Sequence, residues 1–300
     1  MKNAAILSGN ANLGLAGETA KKCGAKLGKV HIEKFPDLET YARIGEPVKG
    51  KKVFIIQPTS TPANEHLAEL LLLADAARRA GASKIVAVMP YYGYARQDRK
   101  VKEGEPVSAQ LFAGLLRKAG VDEFIAMDLH SRAVEKFLRP KAHLHALPVI
   151  AGYFKSKRIR DLVVVAPDKG ALKNVKMQAK ALGAKIAAIS KKRISGSQVI
   201  AEKIEGNIKG KNCVIIDDII STAGTMCEAV RMLKSNGAAS VYVAATHGVL
   251  AGKAIERLKA APVKEVIVTN TIPQAGHKKA LKKLRVLSVA PVLAEAMKRI

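Results

Sequence analysis

Aromatic residues are scarce in this sequence. Only 4% of its 300 residues are Phe, Trp or Tyr and none is Trp, whereas 48% of the residues are hydrophobic. The hydrophobic cores must therefore be built from Ala, Val, Ile and Leu, which suit buried parallel strands covered by Ala-rich helices. This hydrophobic content excludes a disordered chain, and the length is comfortable for two domains of about 150 residues each.

Cysteines and long apolar runs are also scarce. The three cysteines, Cys23, Cys213 and Cys227, are far apart and lack the spacing of metal ligands. Cys213 lies in a strand-like run and Cys227 in a helix-like run, so we expect both to be buried. No stretch approaches 18 consecutive apolar residues, and the N-terminus has too short an apolar run for a signal peptide. We therefore expect a soluble, cytoplasmic protein in a reducing compartment, without a membrane partner.

Acidic residues are few, with 25 Asp and Glu against 51 Lys and Arg, which gives a net charge of +26. Such a surface is either simply solvated or attracts polyanions, such as nucleotide phosphates or nucleic acid. The charge alone does not decide between these interpretations. No stretch matches a zinc finger, a basic zipper or an aromatic RNA-binding strand pair, so no nucleic-acid partner is predicted.

Strand-like and helix-like segments alternate along the chain, which predicts an α/β fold with parallel sheets and crossover helices. Apolar runs predict strands at 4–9, 52–57, 84–90, 123–130, 162–168, 185–190, 213–218, 240–246, 265–270 and 285–290. Helical patterns lie at 64–80, 107–119, 170–182, 225–236 and 291–299.

Two stretches look like copies of one unit. Residues 52–88 and 212–244 each give a strand, a polar loop, a helix, a Gly-Ala turn and a second strand. Their ends, GASKIVAV and GAASVYVA, align without gaps, while the first loop is four residues longer in the first copy. A duplication predicts two similar α/β domains with a boundary near 147–150, although any β-α-β unit is somewhat like another.

An acidic pair and a loop of small residues follow the strand of the second copy. The predicted strand ends at Asp217 and Asp218, and the loop at 219–225 leads into a helix. Ligands bind at the carboxyl ends of parallel strands, and backbone N–H groups at a helix start can surround a phosphate. The loop's Ser and Thr hydroxyls would add donors, and the carboxylates would accept hydrogen bonds from sugar hydroxyls. The pattern predicts a pentose 5-phosphate site; the alternative is an ordinary helix N-cap beside solvated acids.

The stretch VIIDDIISTAGT (214–225) resembles the phosphoribosyl-diphosphate motif of type I phosphoribosyltransferases and of ribose-phosphate pyrophosphokinases. Ala223 stands where a second Gly is usual, and it adds one methyl group near the phosphate. The motif is common to both families and does not separate them.

Five further motifs resemble the pyrophosphokinase family. PYYGYARQDRK (90–100) is similar to its ATP loop, DLHS (128–131) to its metal-site motif and FPDLE (35–39) to its adenine-binding hairpin. APD (166–168) is similar to a motif whose Asp serves Mg²⁺ and the ribose, and KKR (191–193) to the flexible catalytic loop. The motifs occur in the family's order, so the resemblance covers most of the chain.

The resemblance implies an enzyme that transfers the β,γ-diphosphoryl group of Mg-ATP to the 1-hydroxyl of ribose 5-phosphate, giving 5-phosphoribosyl 1-diphosphate and AMP. It implies two tandem phosphoribosyltransferase-like domains, each a mainly parallel sheet flanked by helices. Residues 1–147 would carry the ATP and metal motifs and 148–300 the ribose 5-phosphate loop, and the last helix could pack back on the N-terminal domain. In this family the hairpin acts across a subunit interface, which implies a homo-oligomer, either a dimer or a multiple of dimers.

The resemblance also implies roles for individual residues. Lys191 and Arg193 would be catalytic, and Mg²⁺ would lie near His130 and Asp168. ATP would be bound by Phe35, Asp37, Glu39, Arg96, Gln97 and Asp98. Ribose 5-phosphate would be bound by Arg193, Asp217, Asp218, Ser221, Thr222, Ala223, Gly224 and Thr225.

Several of these residues also have a plainer interpretation. A single histidine such as His130 is more often structural than a metal ligand, and Asp37 and Glu39 could be turn acids. Most of the lysines in 169–193 would belong to a solvated helix face. The segment 169–174 departs from the family's glycine-rich, arginine-containing run beside Asp168.

Other functions explain less of the sequence. A phosphoribosyltransferase would use 213–225 but would leave 90–100 and 128–131 without a purpose. A non-catalytic regulatory paralogue would keep the fold and lose site residues, which are present here. GEPVKGKK (45–52) nearly spells a Walker A loop, but Lys52 takes the Ser/Thr position and a strand follows. A nucleic-acid binder is supported by charge alone.

Overall fold

The fold is described by a computed structural model of residues 1, 3–193 and 200–300, with backbone alone at 169, 191–193 and 200–202. The chain divides into two compact units. Met1–Ala146, Asn270–Pro273 and Ser288–Ile300 form the first unit, and Leu147–Thr269 and Gln274–Leu287 form the second.

Strands and helices alternate through both units. The strands are Ala4–Ser8 (β1), Val30–Lys34 (β2), Thr40–Ile44 (β3), Lys52–Ile56 (β4), Lys84–Met89 (β5), Glu123–Met127 (β6), Ala142–Leu144 (β7), Leu162–Ala166 (β8), Lys185–Arg193 (β9), Ile200–Glu205 (β10), Asn212–Ile220 (β11), Ser240–Gly248 (β12), Glu265–Thr269 (β13) and Leu284–Leu287 (β14). The helices are Leu13–Lys22 (α1), Ala63–Arg79 (α2), Ser108–Lys118 (α3), Arg132–Leu138 (α4), Leu147–Ser156 (α5), Leu172–Leu182 (α6), Gly224–Ser235 (α7), Ala254–Ala260 (α8), Ala275–Ala280 (α9) and Ala290–Arg299 (α10).

The first unit is built on a parallel sheet with the strand order β1-β4-β5-β6-β7, and a separate antiparallel hairpin joins β2 to β3. Alternate residues of β4 enter different cores: Val53 and Ile55 pack with α2, whereas Phe54 and Ile56 pack with α1 and α10. Because both faces of this strand are buried, its sequence KVFII is a continuous apolar run and does not alternate between apolar and polar residues.

The second unit is built on a larger sheet with the order β10-β9-β8-β11-β12-β13-β14. All neighbouring strands in it are parallel except β9 and β10. Two apolar cores cover its faces: Cys213 and Ile215 of β11 belong to one, and Val214 and Ile216 to the other. The predicted α/β architecture, with mainly parallel sheets flanked by helices, is therefore confirmed.

Several predicted strand ends are wrong. The strand β6 ends at Met127 instead of residue 130, and β9 continues to Arg193, past the predicted end at 190, so residues 191–193 lie in a strand instead of a loop.

The end of β11 bears most on the candidate site. The strand predicted at 213–218 runs on through Ile219 and Ile220, which pair with His247 and Gly248 of β12. Ile220 is only 1% exposed, so burial favours continued pairing. Asp217 and Asp218 therefore lie within β11, and the loop before α7 consists of residues 221–223 instead of beginning at 219.

The two β-α-β units also agree in their backbone hydrogen bonds. The Gly50 N–H donates to the Gly81 carbonyl at 2.8 Å, and the Gly210 N–H donates to the Gly237 carbonyl at 2.8 Å. Gly81 and Gly237 both have a positive φ, 81° and 87°, which glycine adopts without strain. Gly50 and Gly210 lie in the similar stretches VKGKK (48–52) and IKGKN (208–212). The similarity of the two units therefore begins before residues 52 and 212.

The last helix packs within the first unit. Leu293 and Met297 of α10 share a core with Leu15 and Ala16 of α1, and all four side chains are at most 1% exposed. The Cys23 thiol at the end of α1 lies 3.8 Å from the Ala294 carbonyl oxygen. The C-terminal 13 residues thus complete the hydrophobic core of the first unit.

Candidate active site

The predicted phosphate loop lies at the carboxyl end of β11. Ala223, at the N-cap position of α7, has a φ of 58° and has no polar side chain with which to cap the helix. Backbone N–H groups at a helix start need partners, and they are a preferred binding site for phosphate. A left-handed conformation costs a residue other than Gly roughly 1–2 kcal/mol, so the surrounding structure must hold this turn in place.

A neighbouring segment supplies that support. The Leu250 and Ala251 N–H groups donate to the carbonyls of Ile220 and Ser221 at 3.0 and 3.1 Å. The Arg257 guanidinium of α8 donates to the Thr222 carbonyl at 2.9 Å. Arg257 also brings a positive charge beside the loop. No signal in the sequence points to Arg257, because a single arginine in a helical pattern belongs to no motif.

The acidic pair is placed beside this loop. Asp217 is exposed and Asp218 is half-buried. The Asp218 N–H donates to Asp217 Oδ1 at 2.8 Å, which fixes the Asp217 side chain against its own strand. Carboxylate oxygens in such a position can accept hydrogen bonds from the hydroxyls of a bound sugar.

Two other predicted groups lie at the same edge of the second unit's sheet. The strands β9, β8 and β11 are adjacent and parallel, so their carboxyl ends meet. Asp168 follows β8 and is exposed, and its Oδ1 accepts a hydrogen bond from the Ala171 N–H at 3.0 Å. The backbone of Lys191 and Arg193 lies in β9 and pairs with β10. The side chains of these two residues lie outside the described part of the chain.

The predicted ATP loop follows β5 in the first unit and is tightly anchored. The Gly93 N–H donates to Thr59 Oγ1 at 2.6 Å, and a Cβ at position 93 would lie 2.3 Å from the Thr59 carbonyl oxygen. Tyr92 is buried, its hydroxyl donates to the Ala109 carbonyl at 2.7 Å, and burial raises its pKa above the ordinary value. The loop therefore has a fixed backbone up to Ala95.

Two of the three residues that follow this anchor face solvent. Arg96 and Gln97 are exposed, and Gln97 Oε1 accepts a hydrogen bond from the Ser108 hydroxyl at 2.6 Å. The Asp98 side chain is 14% exposed and lies 4.0 Å from Arg99. Arg96 can give bidentate hydrogen bonds to phosphate oxygens. The Gln97 side-chain nitrogen can donate to a ligand, since its hydrogen bond to Ser108 uses the side-chain oxygen.

His130 belongs to the same edge of the first unit's sheet. It follows β6, the strand next to β5, and its side chain is exposed. The next residue, Ser131, caps α4 by accepting a hydrogen bond from the Val134 N–H at 3.3 Å. The ATP loop and His130 are therefore brought to one side of this unit.

The predicted adenine-binding hairpin is the turn between β2 and β3. Phe35 is 45% exposed and Leu38 is 73% exposed. The Glu39 N–H donates to Asp37 Oδ1 at 3.1 Å, so Asp37 stabilises the turn with one of its oxygens. Leu38 has a φ of 71°, an unfavourable conformation for leucine. Exposed apolar side chains on a strained turn are expected where a ligand or another chain covers them.

The donors present suit a metal ion that arrives with a nucleotide. In the described residues, no three or more His, Cys, Asp and Glu side chains form a group that could hold a metal ion. Mg²⁺ does not require such a cage, because it keeps several waters and binds through one or two carboxylates together with substrate phosphates. The Asp168 carboxylate fits this preference better than the His130 imidazole, since Mg²⁺ prefers oxygen.

The cysteines take no part in the candidate site. All three are free and buried, as expected for Cys213 and Cys227. Burial raises the pKa of Cys213 to about 11 and raises the pKa values of Cys23 and Cys227. Thiols of this kind are protonated at neutral pH and act as core side chains.

A cavity of about 420 Å³ lies at the opposite end of the second unit's sheet. Its lining includes Lys155, Arg158, Lys185 and Lys211 at the amino ends of β8, β9 and β11. The helices α5 and α6 end there, and basic side chains complement the negative end of a helix dipole. Lys155 and Arg158 lie at the end of α5, and Lys211 pairs with Asp161 at 3.2 Å. In the described part of the chain, no helix is long and apolar enough to cross a membrane.

Comparison with known proteins identifies the family. Residues 4–120 match the N-terminal domain of ribose phosphate pyrophosphokinase, and residues 197–300 match the phosphoribosyl synthetase-associated domain. A ribose-phosphate pyrophosphokinase from Caldanaerobacter subterraneus is 46% identical over 297 residues, which cover 98% of this chain and 94% of that protein. A ribose-phosphate pyrophosphokinase from Bacillus subtilis is 45% identical over 300 residues, which cover 100% of this chain and 94% of that protein.

The chain belongs to the ribose-phosphate pyrophosphokinase family. The crystal structure of phosphoribosylpyrophosphate synthetase from Mycobacterium smegmatis superposes with a TM-score of 0.91 at 38% identity, covering 99% of this chain and 98% of that one. The predicted family and fold class are confirmed. The two family models leave residues 121–196 unmatched, and this stretch holds His130, Asp168, Lys191 and Arg193. The full-length relatives span it.

Proposed function

We propose that this chain transfers the β,γ-diphosphoryl group of Mg-ATP to the 1-hydroxyl of ribose 5-phosphate, giving 5-phosphoribosyl 1-diphosphate and AMP. One observation carries the proposal. This chain is 44–46% identical over its full length to proteins named ribose-phosphate pyrophosphokinase. It also has the Arg96 loop, whose backbone is held closely at Gly93, and the candidate phosphate loop at 221–223.

Ribose 5-phosphate binds to the second unit. The backbone N–H groups at the start of α7 and the hydroxyls of Ser221, Thr222 and Thr225 hold the 5-phosphate, with Ala223 and Gly224 giving the turn its close approach. The carboxylates of Asp217 and Asp218 accept hydrogen bonds from the ribose hydroxyls. The exposure of Asp217 and the uncapped start of α7 support this assignment.

ATP binds to the first unit. Arg96 holds phosphate oxygens, while Gln97 and Asp98 bind the nucleotide, and the exposure of Arg96 beyond the fixed Gly93 turn supports this role. The hairpin residues Phe35, Asp37 and Glu39 bind the adenine of a nucleotide held by another copy of the chain. The exposed Phe35 ring and the strained Leu38 at the tip support a role in which the hairpin is covered. The chain would accordingly work as a homo-oligomer, a dimer or a multiple of dimers.

His130 and Asp168 would be the ligands for Mg²⁺ that is bound to the nucleotide. The ion would supply positive charge that neutralises the phosphate oxygens. Lys191 and Arg193 act as the catalytic cations that stabilise negative charge on the diphosphoryl group as AMP leaves. Arg193 also contacts the sugar phosphate. Positioning accounts for much of the rate enhancement in such transfers, so a strong general base is not required.

The net charge of +26 serves attraction of the two phosphorylated substrates rather than recognition of nucleic acid. We propose no nucleic-acid partner and no membrane partner. Three buried, unpaired cysteines support a reducing, cytoplasmic location.

The proposal is tested by identifying products. The protein is incubated with Mg-ATP and ribose 5-phosphate, and the mixture is followed by ³¹P NMR with and without excess chelator. We expect AMP and 5-phosphoribosyl 1-diphosphate in equal amounts, formed only with divalent metal. Formation of ADP would indicate an ordinary kinase. Absence of turnover would favour a regulatory paralogue, and 5-phosphoribosyl 1-diphosphate consumption with a free base would indicate a phosphoribosyltransferase.

A further inference from the structure

The turn that carries His130 begins with a strained residue. Asp128 has a φ of 38°, a left-handed conformation that costs a residue other than Gly about 1 kcal/mol or more. Both of its carboxylate oxygens are used to hold this conformation. Oδ1 lies 2.8 Å from His145 Nδ1, and Oδ2 accepts the Ala146 N–H at 2.9 Å. The pKa of His145 is raised mainly by its hydrogen bond with Asp128.

His143 holds the next residue of this turn. The Leu129 N–H donates to His143 Nε2 at 3.1 Å. Because a backbone N–H can only donate, Nε2 must be the unprotonated nitrogen, and the ring proton lies on Nδ1. Nδ1 lies 3.3 Å from Glu135 Oε1, and this nearby negative charge favours the ring proton on Nδ1, which is the tautomer that Leu129 requires.

The backbone is therefore fixed on both sides of His130. Leu129 is tied to His143 on one side, and the Ser131 side chain is tied to the Val134 N–H on the other. His143 itself lies on β7, whose backbone pairing with Ala126 does not depend on the side chain. Its imidazole is 20% exposed and stands in a polar group with Glu135 and His145 instead of in a hydrophobic core. Packing alone does not explain a histidine at this position.

We propose that His143 is a positioning residue for the metal-nucleotide site. Its Nε2 atom holds the Leu129 amide and thereby sets the direction in which the His130 imidazole is presented to the nucleotide-bound metal. The inference rests on the role proposed for His130. Groups that orient a metal ligand in this way contribute about 10–100-fold in metal affinity or activity.

Three variants separate the acceptor from the bulk of the ring. His143→Leu keeps a side chain of similar size but removes the acceptor. His143→Gln restores an oxygen near the position of Nε2, whereas His143→Asn is polar but too short to reach the Leu129 amide. Lys136→Leu, at an exposed position on α4, controls for an added leucine near the turn.

Two measurements are made on each variant. Hydrogen exchange in the ligand-free protein reports the protection of the Leu129 amide, and EPR reports the affinity for Mn²⁺ in the presence of ATP. We expect His143→Leu and His143→Asn to lose the protection, to bind Mn²⁺ about tenfold or more weakly and to fall in kcat, with an unchanged KM for ribose 5-phosphate. His143→Gln and Lys136→Leu should resemble the unaltered protein in every measurement. If His143→Leu does not fold, His143→Asn decides the comparison.

The outcomes distinguish this inference from the proposed function. An unprotected Leu129 amide in the unaltered protein would overturn the inference, and so would lost protection with normal Mn²⁺ affinity and normal kcat. In both cases AMP formation by the unaltered protein would leave the proposed function standing. If the unaltered protein forms no AMP, the proposed function fails and the role of His143 fails with it.

Discussion

At the residue scale, Gly93 leaves no room for a side chain in the candidate ATP loop. The atom that a Cβ would meet, at 2.3 Å, is the backbone carbonyl oxygen of Thr59, which cannot move aside as the end of a flexible side chain could. The same glycine donates its N–H to Thr59 Oγ1, which ties the two segments together. Gly93 thereby fixes the backbone of the loop three residues before Arg96.

Gly93→Ala tests this contact. We expect it to lower the free energy of unfolding by about 1–3 kcal/mol, as overpacking does, and to raise the KM for ATP, because the loop must shift. Urea denaturation and steady-state kinetics measure the two effects. The control is Gly114→Ala, an exposed position of α3 with nothing within 4 Å of the added carbon. It should stabilise the helix by about 0.5–1 kcal/mol. Equal behaviour of the two variants would contradict the account.

Asp217 and Asp218 are proposed to accept hydrogen bonds from the ribose hydroxyls, unlike other surface acids. Asp217→Asn and Asp218→Asn should each raise the KM for ribose 5-phosphate by about tenfold or more, because hydrogen bonds to a charged acceptor are worth roughly 1.5–3 kcal/mol. Asp161→Asn is the control, since Asp161 pairs with Lys211 away from the phosphate loop. Steady-state kinetics with each substrate varied provides the measurement. An effect confined to ATP would show that the acids are misassigned.

Lys191 is proposed to be catalytic although it lies in a lysine-rich stretch, where most lysines are expected to be solvated. A cation delivered to the diphosphoryl group as charge develops acts in the transition state, so its loss lowers kcat with little change in substrate binding. Lys191→Ala should reduce kcat roughly 100-fold or more, by analogy with the loss of an oxyanion-hole donor. Lys180→Ala, on the exposed face of α6, should leave kcat nearly unchanged. Similar turnover by the two variants would reduce Lys191 to a solvated lysine.

At the element scale, the order of strands and helices could be predicted, and some of the ends could not. Continuous apolar runs such as KVFII and CVII gave the parallel strands, because both faces are buried. The end of β11 was predicted two residues early. Two acids usually mark the end of a buried strand, but Ile219 and Ile220 continue the pairing with β12. Pairing with a distant strand leaves no local signal in the sequence.

Arg257 shows the same limit for the candidate site. Its hydrogen bond to the Thr222 carbonyl joins α8 to the phosphate loop across 35 residues of sequence. No sequence motif predicts this contact. Arg257→Ala should raise the KM for ribose 5-phosphate about fivefold, since one exposed, charge-assisted bond is worth about 1 kcal/mol, with kcat little changed. Arg257→Lys should recover part of the effect, and Lys259→Ala on the same helix is the control. Kinetics with ribose 5-phosphate varied would contradict the account if Arg257→Ala matched Lys259→Ala.

At the scale of the whole molecule, the internal repeat is the feature that sequence and structure describe together. The Gly50–Gly81 and Gly210–Gly237 hydrogen bonds lie at equivalent positions of the two β-α-β units. The first strand of the second unit, β11, leads into the candidate phosphate loop. The first strand of the first unit, β4, leads into the segment with Thr59, which supports the candidate ATP loop. The division into nucleotide and sugar-phosphate domains stays a prediction. The candidate motifs differ between the copies, as expected if the two copies bind different phosphorylated substrates.

The central claim is that the β,γ-diphosphoryl group of ATP is transferred intact to ribose 5-phosphate. ATP labelled with ³²P only at the β-phosphorus separates this reaction from ordinary phosphoryl transfer. After incubation with Mg²⁺ and ribose 5-phosphate, chromatography should find the label in 5-phosphoribosyl 1-diphosphate and unlabelled AMP as the nucleotide product. Label that remains in the nucleotide fraction as ADP would contradict the account.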